Sequence, residues 1–301
     1  MKGAVDMNNI DLHMHSHYSD DGEFTPAELM RLCKDAGLQI VAIADHNTIE
    51  AIPEAKKEAE KLGLTYLPAV ELDCQIQDVN LHVLGYGIDD QDNNLIKNAE
   101  RMSKLSMEAS SIQIKLCEKL GLTIDHDACY ALAKNGAVTG EIIAEVALSD
   151  SRNHEILKEY LPQGSRSDNP YVNFYWDFCS QGKPAYVPMD FISLKEAVDM
   201  IHHANGIAVL AHPGNNTKEN IPLLDAIFAQ GVQGMEVYSS YHTPQQIQFY
   251  ETYAKHHRLL VTMGSDFHGK TKPSISLGGS GCPDTSLFQD EILKMKNDHK
   301  G

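Results

Sequence analysis

Ile10-Asp11-Leu12-His13-Met14-His15, followed by Asp20, sets two imidazoles two residues apart where a short apolar run ends. Alternate side chains of a strand share a face, so His13 and His15 point the same way and form a chelating pair. Working outward, the same device recurs along the chain. The run 40–44 delivers Asp45-His46, the run 66–70 delivers Glu71, and the run 207–211 delivers His212 ahead of a Pro213-Gly214 turn. The run 260–265 leads to Asp266 and His268, again two residues apart, while His82 stands near the start of its run, 81–86. Six histidines and three carboxylates (Asp20, Glu71, Asp266) thus sit at or beside strand ends, where a barrel gathers its chemistry.

Between these runs lie helical patterns. Thr25 caps a helix that Pro26 opens and Gly37 ends, and a second spans 48–62 before Gly63. From about 89 to 182 the period changes, and helices at 94–120, 125–134, 139–149 and 171–180 leave no room for a strand. Alternation then resumes with helix 193–204, strand 207–211, helix 221–230, strand 234–237, helix 244–257 and strand 259–263. Seven strands alternating with helices allow a closed parallel barrel or an open doubly wound sheet, and ligands at several strand ends favour the barrel. The expected division is an α/β barrel from 8–90 and 183–280, an all-helical insertion at 91–182 and a tail at 281–301 wrapping the outside.

Composition narrows the class. The 301 residues are 42% hydrophobic, enough for one large domain, and the net charge of −17 opposes a broad grip on a nucleic-acid duplex. A small phosphorylated substrate held by metals stays compatible. No apolar stretch approaches the roughly 20 residues that span a bilayer. Residues 1–9 lack the basic flank and apolar centre of a secretion signal, so a cytoplasmic protein is expected. Six scattered cysteines without C-x-x-C spacing read as reduced and structural.

Imidazole and carboxylate donors suit Zn, Mn or Fe, and a purely structural zinc site would more often be a closed cage rich in Cys. Charge arithmetic gives the chemistry. Neutral imidazoles with three carboxylates carry three negative charges, and three divalent ions carry six positive. Such a net cationic centre binds a phosphate dianion and lowers the pKa of a bound water toward about 7, which suits phosphoester hydrolysis.

The segments Asp11-Leu12-His13-Met14-His15-Ser16 with Ser19-Asp20, Ala44-Asp45-His46-Asn47, Val70-Glu71, Leu81-His82-Val83-Leu84-Gly85, Ala211-His212-Pro213-Gly214 and Gly264-Ser265-Asp266-Phe267-His268-Gly269 together resemble the PHP (polymerase and histidinol phosphatase) family. The resemblance covers about 8–90 and 183–280. It implies a distorted (βα)7 barrel with a trinuclear centre, and its branch with a helical insertion includes phosphatases of nucleotides and of short RNA ends. It further implies that His13, His15, Glu71 and Asp266 hold a first metal, and that Glu71 bridges to a second held by His82 and His212. Asp20, His46 and His268 would hold a third. A hydroxide between the first two would attack phosphorus in line with the leaving oxygen.

Around these, Asp11 and Asp45 are expected to orient imidazoles, and His17 to be a solvated loop residue. The candidate catalytic residues are Asp20, Glu71, Asp266 and His242, the last a substrate contact or proton donor to the leaving group. Family members that cleave nucleotides often carry an Arg near the start of an insertion helix and a basic residue after His-Pro-Gly. Here those places hold Val138-Thr139-Gly140-Glu141 and Asn215-Asn216. Lys183 and Lys270 are candidate substrate contacts, with Arg166 and Lys218 as further replacements. Tyr171, Phe174, Tyr175 and Trp176 form an aromatic cluster able to stack on a base or pack on the barrel. The expected function is hydrolysis of a phosphomonoester on a small, nucleotide-like substrate, with two or three divalent ions. The alternatives are a 5′-3′ exonuclease on short RNA or DNA, a histidinol phosphate phosphatase and a non-catalytic metal-bound module.

Overall fold

In the computed structural model, which describes residues 9–297, two groups of strands share one hydrogen-bonded ring. The first group is β1 (Ile10–Asp11), β2 (Ile40–Val41) and β3 (Thr65–Tyr66), parallel and in that order. The second comprises β4 (Ala69–Ile76), β5 (Val79–Tyr86), β6 (Ile192–Ser193), β7 (Ile207–Leu210), β8 (Gly234–Ser239) and β9 (Leu260–Gly264), ordered β6-β4-β5-β7-β8-β9. Backbone bonds from Leu12 N to Met263 O (3.0 Å) and Asp266 N to His13 O (2.8 Å) tie β1 to β9. Glu71 N to Asp45 O (3.1 Å) carries the continuation of β2 onto β4. β3 and β4 are two halves of one strand interrupted at Pro68, which has no N–H for the ladder. With these halves joined and the short β6 set aside, the ring has the seven staves expected.

One stave runs the wrong way for an all-parallel barrel. β5 pairs antiparallel with both β4 and β7, which corrects that expectation. The cause is a two-residue hairpin at Gln77 and Asp78, both with left-handed φ (48° and 63°), the backbone that matches strand twist in a tight turn. The reversal explains why His82 lies near the start of its strand: that end of β5 meets the ends of its parallel neighbours.

Helices between staves begin at strong caps. Thr25, Ser193 and Thr243 each form a capping box with Glu28, Glu196 and Gln246, opening helices Pro26–Asp35, Leu194–His203 and Pro244–His257. The barrel interior and its helix contacts form one apolar cluster that includes Leu12, Ile43, Leu72, Leu84, Leu210 and Met235. The insertion, with helices Asn93–Lys119, His126–Leu132, Gly140–Ser149 and Pro170–Phe174, has a separate apolar cluster around Ile114, Ile143, Leu157 and Phe174. Its last turn, Tyr175–Cys179, is a π-helix. The tail is more than an outer wrap, since helix Gln289–Asn297 buries Ile292 and Met295 in the barrel cluster. The residues read as lacking a secretion signal lie almost wholly outside the described residues, as does the tail beyond 297. Among the described residues no helix is long and apolar enough to cross a membrane, and all six cysteines are buried and free.

Candidate metal centre

Strand ends turn abruptly where side chains must be aimed inward. Asp266 adopts φ 56° and His212 φ 20°, positions that cost energy for residues with a Cβ and that persist where packing holds them. Gly264, just before this turn, is needed for a different reason. A Cβ there would lie 2.2 Å from His13 Cβ and 2.5 Å from a Glu236 carboxylate oxygen. The backbone can therefore approach His13 closely only without a side chain.

The result is a floor of converging donors. His13, His15, Glu71 and Asp266 form one group whose ligand atoms lie within 4.8 Å of one another; Glu71, His82 and His212 form a second; His15, Asp21, His46 and His268 form a third. Glu71 stands between the first two: one oxygen is 3.2 Å from His13 Nε2, the other 3.0 Å from His82 Nδ1 and 3.1 Å from His212 Nε2. Among the described residues, buried atoms that make no hydrogen bond, close as some of them lie to one another, include His13 Nε2, His15 Nε2, His46 Nδ1, His268 Nε2, Glu71 Oε2 and Asp21 Oδ1. Leaving so many buried donors and acceptors unmatched is costly, and cations at their meeting points would satisfy them together. The imidazole and carboxylate donor set fits divalent metal ions.

Electrostatics agree. Glu71 and Asp266 are held far below the ordinary carboxylate range: burial works against their charge, and the surrounding imidazoles, with Lys272 for Asp266, outweigh it. Burial also opposes charge on His15 and His82, yet contacts with Glu71, joined by Asp266 for His15 and Asp73 for His82, lift both to about 9. For His46 burial prevails, and the ring is held down at about 4.

Eight of the nine expected ligands therefore meet: His13, His15, His46, Glu71, His82, His212, Asp266 and His268. Asp20 does not. Its neighbour Asp21 faces His268 at 3.2 Å, while burial pushes the Asp20 carboxyl up to about 6 beside Asn135. The two acids are adjacent, and only the loop's path decides which one turns inward. Asp73, 3.1 Å from His82 Nε2, adds a half-buried carboxylate at the edge.

The supporting shell also differs from expectation. Among the described residues Asp11 makes no hydrogen bond to an imidazole; it accepts from Ser265 N (2.9 Å), Ser265 Oγ (2.6 Å) and Gly278 N (2.7 Å), fixing the loop that carries Asp266. Asp45 accepts from Ser19 Oγ at 3.0 Å, and that oxygen lies 2.9 Å from His15 Nδ1, so it orients His15 through Ser19. The carboxylate that orients His13 is Glu236, absent from the sequence-based set. Its signal was a charge inside the apolar run of β8. His17 lies outside these donor groups.

His242 is corrected too. Its Nδ1 pairs with Val237 O at 2.8 Å and its Nε2 accepts from Gly214 N at 3.0 Å, so both ring nitrogens are committed to backbone. It braces the His-Pro-Gly turn. Lys270 is tied to Glu145 of the insertion at 2.7 Å and does not line the cavity, whereas Lys183 is exposed at its rim. Above the floor, a cavity of about 980 Å³ runs between barrel and insertion, walled by Met102, Tyr175, Trp176, Met189 and Phe191. A second cavity of about 550 Å³ shares Trp176 and Asn215 with it.

A barrel with this donor-lined mouth defines a class of metal-dependent hydrolases acting on phosphoric esters. The chain belongs to the PHP domain family, whose model matches residues 11–267. It is 32% identical over 268 residues to a 5′-3′ exoribonuclease of Haemophilus influenzae, covering 86% of this chain and 89% of the relative. It is 29% identical over 265 residues to a 3′,5′-nucleoside bisphosphate phosphatase of Chromobacterium violaceum (87% and 88% covered). Among solved structures, a Bifidobacterium adolescentis protein assigned as a metal-dependent phosphoesterase superposes with a TM-score of 0.78 at 28% identity, over 96% of this chain and 97% of that one. A Chromobacterium violaceum amidohydrolase with bound sulfate gives 0.74 at 26% identity, over 95% and 96%.

Proposed function

We propose that this protein hydrolyses a phosphomonoester on a small, nucleotide-like molecule in the cytoplasm, with two or three Mn, Fe or Zn ions held by His13, His15, Asp21, His46, Glu71, His82, His212, Asp266 and His268. The observation that carries the reading is the convergence of these donors at the floor of a cavity large enough for a nucleotide. When bound, the ions supply Lewis-acid charge and an activated water. The chain's own residues do the rest. Glu71 places its two oxygens toward separate donor groups, and Asp266 offers one oxygen to His13 and His15 while its other is held by Tyr241 and Lys272. Tyr175 and Trp176 give the opposite wall flat apolar faces on which a base can stack.

A second reading, removal of nucleotides from the 5′ end of short RNA, is favoured by the second cavity, which shares Trp176 and Asn215 with the first and would offer room for a longer chain. Relatives named for that activity support it. The same experiment separates the readings: metal-loaded protein is assayed for phosphate release from nucleoside 5′- and 3′-monophosphates, nucleoside bisphosphates and histidinol phosphate, and for shortening of 5′-phosphorylated oligoribonucleotides. Release from small esters alone supports the first reading, and mononucleotide products from oligomers support the second. No turnover on any of them with metal bound sinks both.

A further inference from the structure

We propose that Lys272 is the cation that grips the phosphoryl group of the substrate, held at the edge of the donor floor by Asp266 and Tyr241. This rests on the phosphoesterase reading above. Lys272 is only 6% exposed, yet its side chain lines the large cavity together with Asp21, His46, His212 and Asp266. Its Nζ donates to Asp266 Oδ2 at 2.6 Å, and the Tyr241 hydroxyl donates to the same oxygen at 2.5 Å. The ammonium also stands 5.4 Å from the centre of the Tyr241 ring. Its stem is thereby fixed in one direction.

An ammonium has three N–H donors, and among the described residues Asp266 is the one side-chain acceptor this one reaches. A buried charge with donors to spare is costly unless something else takes them, and the cavity is where that partner can sit. The other cations are placed for different work. Lys270 is paired with Glu145, Arg166 with Asp177, and Lys183 and Lys218 are exposed at the rim. Where nucleotide-cleaving relatives were expected to carry basic residues, the start of the insertion helix holds Glu141 and the turn after His212-Pro213-Gly214 holds Asn215 and Asn216. Asp21, Glu71, Asp73 and Asp266 crowd the same end of the cavity, so an incoming phosphate dianion gains from a fixed positive charge beside them.

The test is calorimetric titration of Mn-loaded full-length protein with inorganic phosphate, for wild type, Lys272→Met and Lys272→Arg, with metal content and melting temperature measured on each preparation. The expected result is that Lys272→Met keeps its metal and weakens phosphate binding about ten- to hundredfold, the loss of one charge-assisted hydrogen bond. Lys272→Arg recovers most of that loss. If the Met variant is not recovered folded, Lys272→Gln, which keeps a donor without the charge, makes the same comparison. The proposal is overturned if phosphate binds Lys272→Met as it binds wild type. It is equally overturned if affinity falls only in step with lost metal, because Lys272 would then serve only to prop Asp266. Should wild type hydrolyse no phosphoester while its phosphate binding still depends on Lys272, the phosphoesterase reading falls and the anchor stands.

Discussion

Glu236 Oε1 lies 3.1 Å from Nδ1 of His13, with both side chains fully buried, and the other oxygen of Glu236 accepts the backbone N–H of His212 at 2.7 Å. One carboxylate in the middle of β8 therefore aims two donors that come from different staves. Outer partners of metal-binding imidazoles set ring orientation and basicity.

Glu236→Gln is accordingly expected to lower metal affinity about 10- to 100-fold while leaving the fold intact, because the amide still accepts from His212 N but no longer carries charge beside His13. Competition with a fluorescent chelator measures it. Wild-type affinity in the variant would show that His13 is placed by packing alone.

Asp21 and Asp20 are adjacent, and only Asp21 faces the donor group of His15, His46 and His268. Asp21→Asn is expected to remove one equivalent of metal, whereas Asp20→Asn retains the full complement. Elemental analysis of the two purified variants decides it, and the reverse pattern would contradict the loop's path.

With both nitrogens of His242 bound to backbone, His242→Gln is expected to cost stability, about 1–3 kcal/mol for a buried network left incomplete. The shape of the pH profile of kcat/KM should not change. Disappearance of one limb of that profile would restore His242 as a proton donor.

Glu141 opens an insertion helix, lines the cavity, and is held up at about 7, first by burial and then by the charge of Asp21. Its unperturbed value is 4.5, so the folded protein holds this proton more tightly than the unfolded chain. The resulting stabilisation is complete below about pH 4.5 and is lost as pH rises through about 7. In chelator-treated protein, Glu141→Gln should match wild type in melting temperature near pH 4.5 and melt higher at pH 8, where its unfolding free energy exceeds that of wild type by at most about 3 kcal/mol. Equal melting temperatures at both pH values would mean that this carboxyl is solvated.

Much of the centre was legible in the chain itself because a strand's twofold alternation and its terminal position are local properties. His13 with His15, and Asp266 with His268, could be paired by counting, and apolar runs marked which residues arrive at the mouth. Capping residues set the helix starts for the same local reason: Thr25 and Pro26 act within a single turn.

What counting could not decide depended on contacts between distant parts. Which of two neighbouring aspartates turns inward is set by how the loop from His17 to Phe24 folds over Ser16, and Glu236 gains its role only when β8 lies beside β1 and β7. The reversal of β5 hangs on two left-handed residues, Gln77 and Asp78, neither of which is the Gly or Asn that usually announces such a turn. The sequence by itself determined the donor types, their strand-end placement and the helical insertion, since each follows from short-range spacing. Only the tertiary structure decided their partners, because hydrogen bonds and charge pairs that span two hundred residues depend on where the barrel closes.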